Sequence, residues 1–174
     1  MKKSLTKGEM LDLWRNLRMA EPLRLDCAVA RTDGTDLSAA IEAETRAWYL
    51  QLLDRGDPAL IIPVDASPTA IVSSSESGLT LVGVSASSRR ILEVRFSGWD
   101  APVAPDTTLE QVRLAAANPY CRRPMVAAIG KDRVAVAGAE GTLSSLMVAL
   151  DPGPDIYIFD DAALKELIIP PNDL

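Results

Sequence analysis

Histidine is absent from this 174-residue chain. Its absence excludes Ser-His-Asp and Cys-His relays, an imidazole base titrating near neutrality, and a histidine-based zinc site. Cysteine is scarce: Cys27 and Cys121 are the only two, against the roughly four thiolate or imidazole ligands of a structural zinc site. Long apolar runs are missing too, since none approaches the roughly 20 residues that span a bilayer. Aromatic residues make up only 5% of the chain, so each carries a large share of any core. Chemistry would have to rest on carboxylates, lysine, serine or tyrosine, and no arrangement of these forms a catalytic constellation. The expectation is a protein that is not an enzyme, with no metal and no cofactor.

The chain does have 48% hydrophobic and 24% charged residues, which suits one globular domain. We expect a single α+β domain over 1–174, helical over 1–57 and β-rich over 58–174. At this length about two thirds of the unfolded surface is buried on folding, so disulfides are not needed. A net charge of −6 and a pI near 4.7 argue against dedicated nucleic-acid binding and against attachment to an anionic membrane. The charge is uneven. Lys2 to Arg24 carries six basic and three acidic residues, whereas Asp151 to Asp173 carries six acidic residues and Lys165 alone. Opposed ends suit contacts between neighbouring copies in an assembly, the alternative being surface patterning without a partner. Met1-Lys2-Lys3 starts like a signal peptide, but Lys7, Glu9, Asp12, Arg15 and Arg18 interrupt any apolar region. The expected location is cytoplasmic, with Cys27 and Cys121 as small buried thiols, a disulfide between them being the alternative.

Thr6-Lys7-Gly8-Glu9 has the form of a capping box, and Met10, Leu13, Trp14 and Leu17 follow at the spacing of one helical face. Asp33-Gly34 marks a turn before a second helix, capped by Asp36 or Ser38, with Leu37, Ile41, Trp48 and Leu52 on its apolar face. Gly56 suits the left-handed position after it. Beyond Pro58 the period shortens, predicting strands at Ala59–Val64, Ala70–Ser73, Leu79–Val84 and Arg90–Phe96. Thr107-Thr108-Leu109-Glu110 repeats the capping-box form and opens a short helix closed by Asn118-Pro119. Met125–Ile129 and Val134–Ala137 flank Gly130-Lys131-Asp132-Arg133, a hairpin connection. Leu143–Leu150 and Ile156–Phe159 complete the strands. Asp160 or Asp161 then caps a final helix bearing Leu164, Leu167 and Ile168. The fold class is α+β: two N-terminal helices, a mainly antiparallel β-rich second half with a short inserted helix, and a C-terminal helix.

Candidate chemical motifs each have a simpler reading. Ser4-Leu5-Thr6-Lys7 matches a Ser-x-x-Lys string, but without the partner motifs of that hydrolase chemistry it reads as a solvated cap. The carboxylates Asp33, Asp36, Asp160 and Asp161 suit a metal-dependent hydrolase only with further oxygen ligands, and turns and caps explain them. Ser85-Ala86-Ser87-Ser88-Arg89-Arg90 offers groups that hold phosphate but lacks the glycine spacing of a phosphate loop. Asn118-Pro119-Tyr120-Cys121-Arg122-Arg123-Pro124 is a stiff segment with residues favoured at interfaces, or an ordinary helix-to-strand connector. Trp99, between Gly98 and Asp100-Ala101-Pro102, sits beyond a strand end and is either a binding residue or a lid over the core.

The short helix ending in Asn118-Pro119, the Arg122–Pro124 segment, a strand, the Gly130–Arg133 turn, a second strand and a strand approaching Pro152 resemble the C-terminal part of small head-to-tail connector (ring or neck) proteins of tailed phages and prophages of gut Bacteroidetes. The two N-terminal helices, the second running through Trp48-Tyr49 to Arg55-Gly56, suit the same pattern. The Ser-rich stretch Ser73–Ser88 departs from it. The resemblance covers about half the chain. It implies a non-enzymatic subunit of a ring between portal and tail, located in the virion, with no catalytic residues to carry over. Two functions follow as expectations. One is a structural or assembly subunit that associates with protein partners or with itself, using Trp99, Tyr120, Arg122 and Arg123. The other is a small-molecule or anion-binding module in which Arg89, Arg90, Arg122 and Arg123 converge.

Overall fold

The computed structural model describes residues 1–18, 37–75, 78–120 and 123–165. The chain divides into two compact units, one made of Met1–Ile62 with Pro152–Leu174 and the other of Pro63–Asp151. Each is described by itself. Among the described residues no helix is long and apolar enough to cross a membrane.

In the first unit, strand β1 (Lys2–Thr6) precedes helix α1 (Lys7–Arg18) and pairs antiparallel with β9 (Ile156–Asp160), Ser4 facing Ile158. The capping box forms at the junction. The Thr6 amide donates to Glu9 Oε2 at 2.8 Å and the Glu9 amide to Thr6 Oγ1 at 3.4 Å. These bonds from Thr6 hold the Glu9 carboxyl below its ordinary range. Helix α2 (Leu37–Arg55) packs on α1, and a Lys7–Glu42 ion pair links the two. Met10, Trp14, Ile41, Tyr49, Leu53, Tyr157 and Phe159 are buried here. Tyr49 and Tyr157 meet edge to face at 5.0 Å, as do Trp48 and Phe159 at 5.7 Å. The Tyr49 hydroxyl donates to the Ile158 carbonyl at 3.0 Å and accepts from the Ile158 amide at 3.2 Å, serving both backbone groups on the open side of β9.

The second unit is two antiparallel sheets face to face with a helix on the outside. One sheet has the order β2 (Val64–Asp65), β8 (Leu143–Leu150), β5 (Ser88–Phe96). The other runs β3 (Ile71–Ser74), β4 (Thr80–Gly83), β7 (Arg133–Ala137), β6 (Met125–Ile129). Alternation explains the layering. Val82, Val126, Val134 and Val136 of the four-stranded sheet meet Ile91, Val94, Phe96, Leu146 and Val148 of the other. The intervening Ala127, Ala135 and Ala137 face the opposite way and, with Leu79, receive Val112 of helix α3 (Leu109–Ala117). Three alanines leave room for a helix to lie close on the sheet. Gly130, at φ +67°, turns β6 into β7 with Ile129 facing Arg133.

Several expectations are corrected. The first part of the chain is not helices alone, because β1 leads it and finds its partner at the far end of the sequence. Among the described residues there is no clear C-terminal helix: a 3-10 turn at Asp161–Ala163 leads into only two helical residues, 164–165. The Asp160 carboxylate caps that turn by accepting from the Ala162 amide at 2.9 Å. The Leu164 amide then reaches back three residues to Asp161, tightening the coil. Leu167 and Ile168 lie outside the described residues. Among the described residues the fold is thus three helices with several small, mostly antiparallel sheets. Ala59–Val64 is no strand: Asp57 caps a 3-10 turn at Pro58–Leu60, and only Val64 begins to pair. Gly56 is not left-handed. A Cβ there would lie 2.5 Å from the Leu52 carbonyl oxygen, so close approach is what requires glycine. The second capping box sits one residue later than expected, on Thr108 and Gln111. Ser38 is inside α2 rather than at its cap, and Asp36, Asp33 and Cys27 lie outside the described residues.

Candidate functional site

After β5 the chain leaves the three-stranded sheet and crosses to the α3 side of the other. Val103 bridges to Val94, each amide bonding the other's carbonyl at 2.9–3.0 Å. Four residues on, the Thr107 amide and hydroxyl both donate to the Val126 carbonyl of β6, and Thr108 then caps α3. A groove of about 660 Å³ lies along this crossing. Val103, Leu114, Pro124 and Met125 line it with apolar surface, and Asp106, Thr107, Gln111 and Arg123 with polar groups. Its volume falls in the range of small-ligand pockets, but its charges are mixed, since both Asp106 and Arg123 line it.

The turn that follows α3 is fixed locally. The Asn118 amide donates back to the Ala115 carbonyl, and the Asn118 side-chain oxygen accepts from the Tyr120 amide at 3.0 Å. With Pro119 between them, this turn holds Tyr120 outward. Tyr120 is 92% exposed, and Leu114, which lines the groove, is 66% exposed. All three Trp, the other two Tyr and both Phe are buried or half-buried. A chain so poor in aromatics therefore spends one on solvent.

The expected site residues fall in three places. Tyr120 and Arg123 stand at the exposed loop and the groove wall. Arg122 and Cys121 lie outside the described residues. Trp99 is a core residue, which removes it from the surface. It is 5% exposed, its ring is 5.1 Å from Phe96, and its indole Nε1 donates to the Gly138 carbonyl at 2.8 Å. Its loop position allowed exposure, but the strand-end turn folds it back between the sheets. Sequence reasoning missed Asp106, Thr107, Gln111 and Leu114. Leu114 had a signal, an apolar residue off the buried face of its helix. The polar three had none.

The other candidates take structural roles. Arg89 and Arg90 belong to β5 and do not line this groove, whereas Arg123 does and Arg122 lies outside the described residues. The hydroxyls of Ser85 and Ser87 bond each other at 2.9 Å and Ser88 is buried, making this segment a polar turn into a strand. Ser4 lies in β1 facing Ile158 of β9, and its would-be activator Lys7 is held by Glu42, which raises the lysine's pKa and keeps it protonated. Among the described residues no cluster of three or more His, Cys, Asp or Glu stands together. Comparisons with protein-family profiles, with characterised proteins and with solved structures return no match for the chain.

Proposed function

We propose that the chain is a non-catalytic structural or assembly subunit that docks a protein partner on the α3 side of its sandwich unit. The observation that supports this reading most directly is Tyr120, an almost fully exposed aromatic on a turn pinned by Asn118 just after α3, the helix whose exposed Leu114 lines the groove. Rigid aromatics with adjoining apolar and mixed polar surface are what protein partners bury. The mixed charge of the groove favours a peptide surface over a simple anion. The resemblance to head-to-tail connectors gives this reading its finer form: a ring subunit between portal and tail, in the virion or, before assembly, in the cytoplasm. The test is co-purification with portal and tail proteins encoded beside its gene, comparing the natural chain with Tyr120→Ala and Leu114→Ser. Loss of the complex in both variants, with unchanged melting, supports the reading. A complex indifferent to both, or no complex with any neighbour, overturns it.

A further inference from the structure

We propose that β3 is a self-association edge, at which a second copy of this chain adds its own β3 antiparallel across a two-fold axis. This surface is separate from the α3 groove and does not depend on it.

Among its described residues the sandwich unit has four sheet edges, and three of them are guarded. β2 is two residues long, follows Pro63, and ends where the Asp65 carboxylate takes the next ladder donor, the Leu146 amide, at 3.1 Å. β5 has three register shifts and is bridged by Val103. β6 is preceded by Pro124, and its Val126 carbonyl is occupied by Thr107. These are the devices by which proteins keep edges from pairing with strangers. β3 has none of them. Its register with β4 is unbroken over four residues, with no proline and no charge, and all four residues are exposed. Ile71 is 75% exposed and Val72 46%.

The backbone is set for pairing. The Ser75 amide bonds the Leu79 carbonyl, and the same register makes Ser73 and Ile71 the residues bonded to β4. In an antiparallel ladder the alternate residues, Val72 and Ser74, then point their N–H and C=O groups to the open side. Two such edges are self-complementary under a two-fold rotation. Charge selects the occupant. Between Asp65 and Glu76 the sequence has no charged residue, and β4 behind it has none, although the whole chain carries −6. At this edge a second copy sets no charge against the first, and an acidic or basic partner finds nothing to pair with.

The contact is small, so the dimer is expected to be weak and to populate only at high concentration, on the order of 100 μM and above. Sedimentation velocity of the full chain from micromolar to millimolar concentration should show monomer passing to dimer. Hydrogen exchange in the same series should show the Val72 and Ser74 amides gaining protection as dimer forms. Val72→Lys places two like charges near the axis and should weaken association at least about tenfold without lowering the melting temperature. Ile71→Lys, on the other face of the strand, is the second variant should the first fail to fold. Tyr120→Ala should leave the dimer intact, which separates this surface from the partner-docking one. A chain monomeric throughout, a dimer unchanged by both lysine variants, or amides at 72 and 74 that exchange equally in monomer and dimer would each overturn the proposal.

Discussion

Replacing Trp99 distinguishes a structural from an interfacial aromatic. Its side chain is about 95% removed from solvent, and a tryptophan at that burial hides roughly 150–250 Å². At about 25 cal/mol per Å² the gross apolar contribution is near 4–6 kcal/mol, an upper bound because the unfolded chain is already partly collapsed. Truncation to alanine leaves a cavity beside Phe96, and core Trp→Ala changes cost about 3–5 kcal/mol. Trp99→Phe keeps much of the ring and loses the bond to the Gly138 carbonyl. Since Gly138 is exposed, water replaces part of that bond, and the loss is about 1–2 kcal/mol. For a cooperative unit below about 100 residues, each kcal/mol lowers Tm by roughly 4–8 °C. Trp99→Ala should therefore melt at least ~12 °C lower and Trp99→Phe ~4–16 °C lower, with the order Ala below Phe below Trp. Calorimetry or near-ultraviolet circular dichroism measures this. Unchanged melting in Trp99→Ala, together with loss of self-association or partner binding, would refute the core assignment and return Trp99 to the surface.

Other outcomes follow from single contacts. The Asp65 carboxylate accepts from the Ser67 amide and the Leu146 amide, which depress its pKa below the ordinary 3.8. A depressed folded-state value means the stabilisation is present above the unfolded pKa and is lost as pH falls through the folded one, below about pH 4. Asp65→Asn should flatten that part of the pH–Tm curve, and Asp65→Ala should cost about 1–3 kcal/mol by orphaning the buried Leu146 amide in denaturant titrations. Tyr49→Phe removes the hydroxyl that serves both backbone groups of Ile158 and should destabilise the first unit by about 1–3 kcal/mol, read as faster amide exchange at Ile158. Gly56→Ala brings a methyl to 2.5 Å from the Leu52 carbonyl oxygen and should lower Tm by an amount equivalent to about 1–3 kcal/mol.

What was legible in the fold was local. The Thr6–Glu9 cap, the stop at Asn118-Pro119, and the hairpin through Gly130 are each set by residues within a few positions, and short-range chemistry decides them. β1 was not legible. Lys2-Lys3-Ser4-Leu5-Thr6 is too polar to show a period, and its pairing with Ile156–Asp160 spans nearly the whole chain. For the same reason the change of pattern near Pro58 was visible, whereas the return of Pro152 onward to the first unit was not. The double threonine at Thr107-Thr108 misled by one residue because Glu110 and Gln111 both complete a box. The structure chose Thr108 by giving Thr107 a different acceptor, the Val126 carbonyl.

The candidate site was legible only where rigidity is written into consecutive residues. Asn118 and Pro119 favour a turn from neighbouring residues alone, and Tyr120, which follows them, is exposed. Trp99 sits in an equally turn-like setting, but its fate depended on a carbonyl 39 residues away, at Gly138, and on a gap between sheets that only the assembled sandwich creates. Asp106, Thr107 and Gln111 reach the groove because Thr107 is fastened to β6, a contact between segments nearly twenty residues apart. The open edge at β3 follows the same logic in reverse. Ile71-Val72-Ser73-Ser74 reads as an ordinary short strand. Its isolation at the end of the four-stranded sheet follows from strand order, and turn chemistry and period do not encode that order.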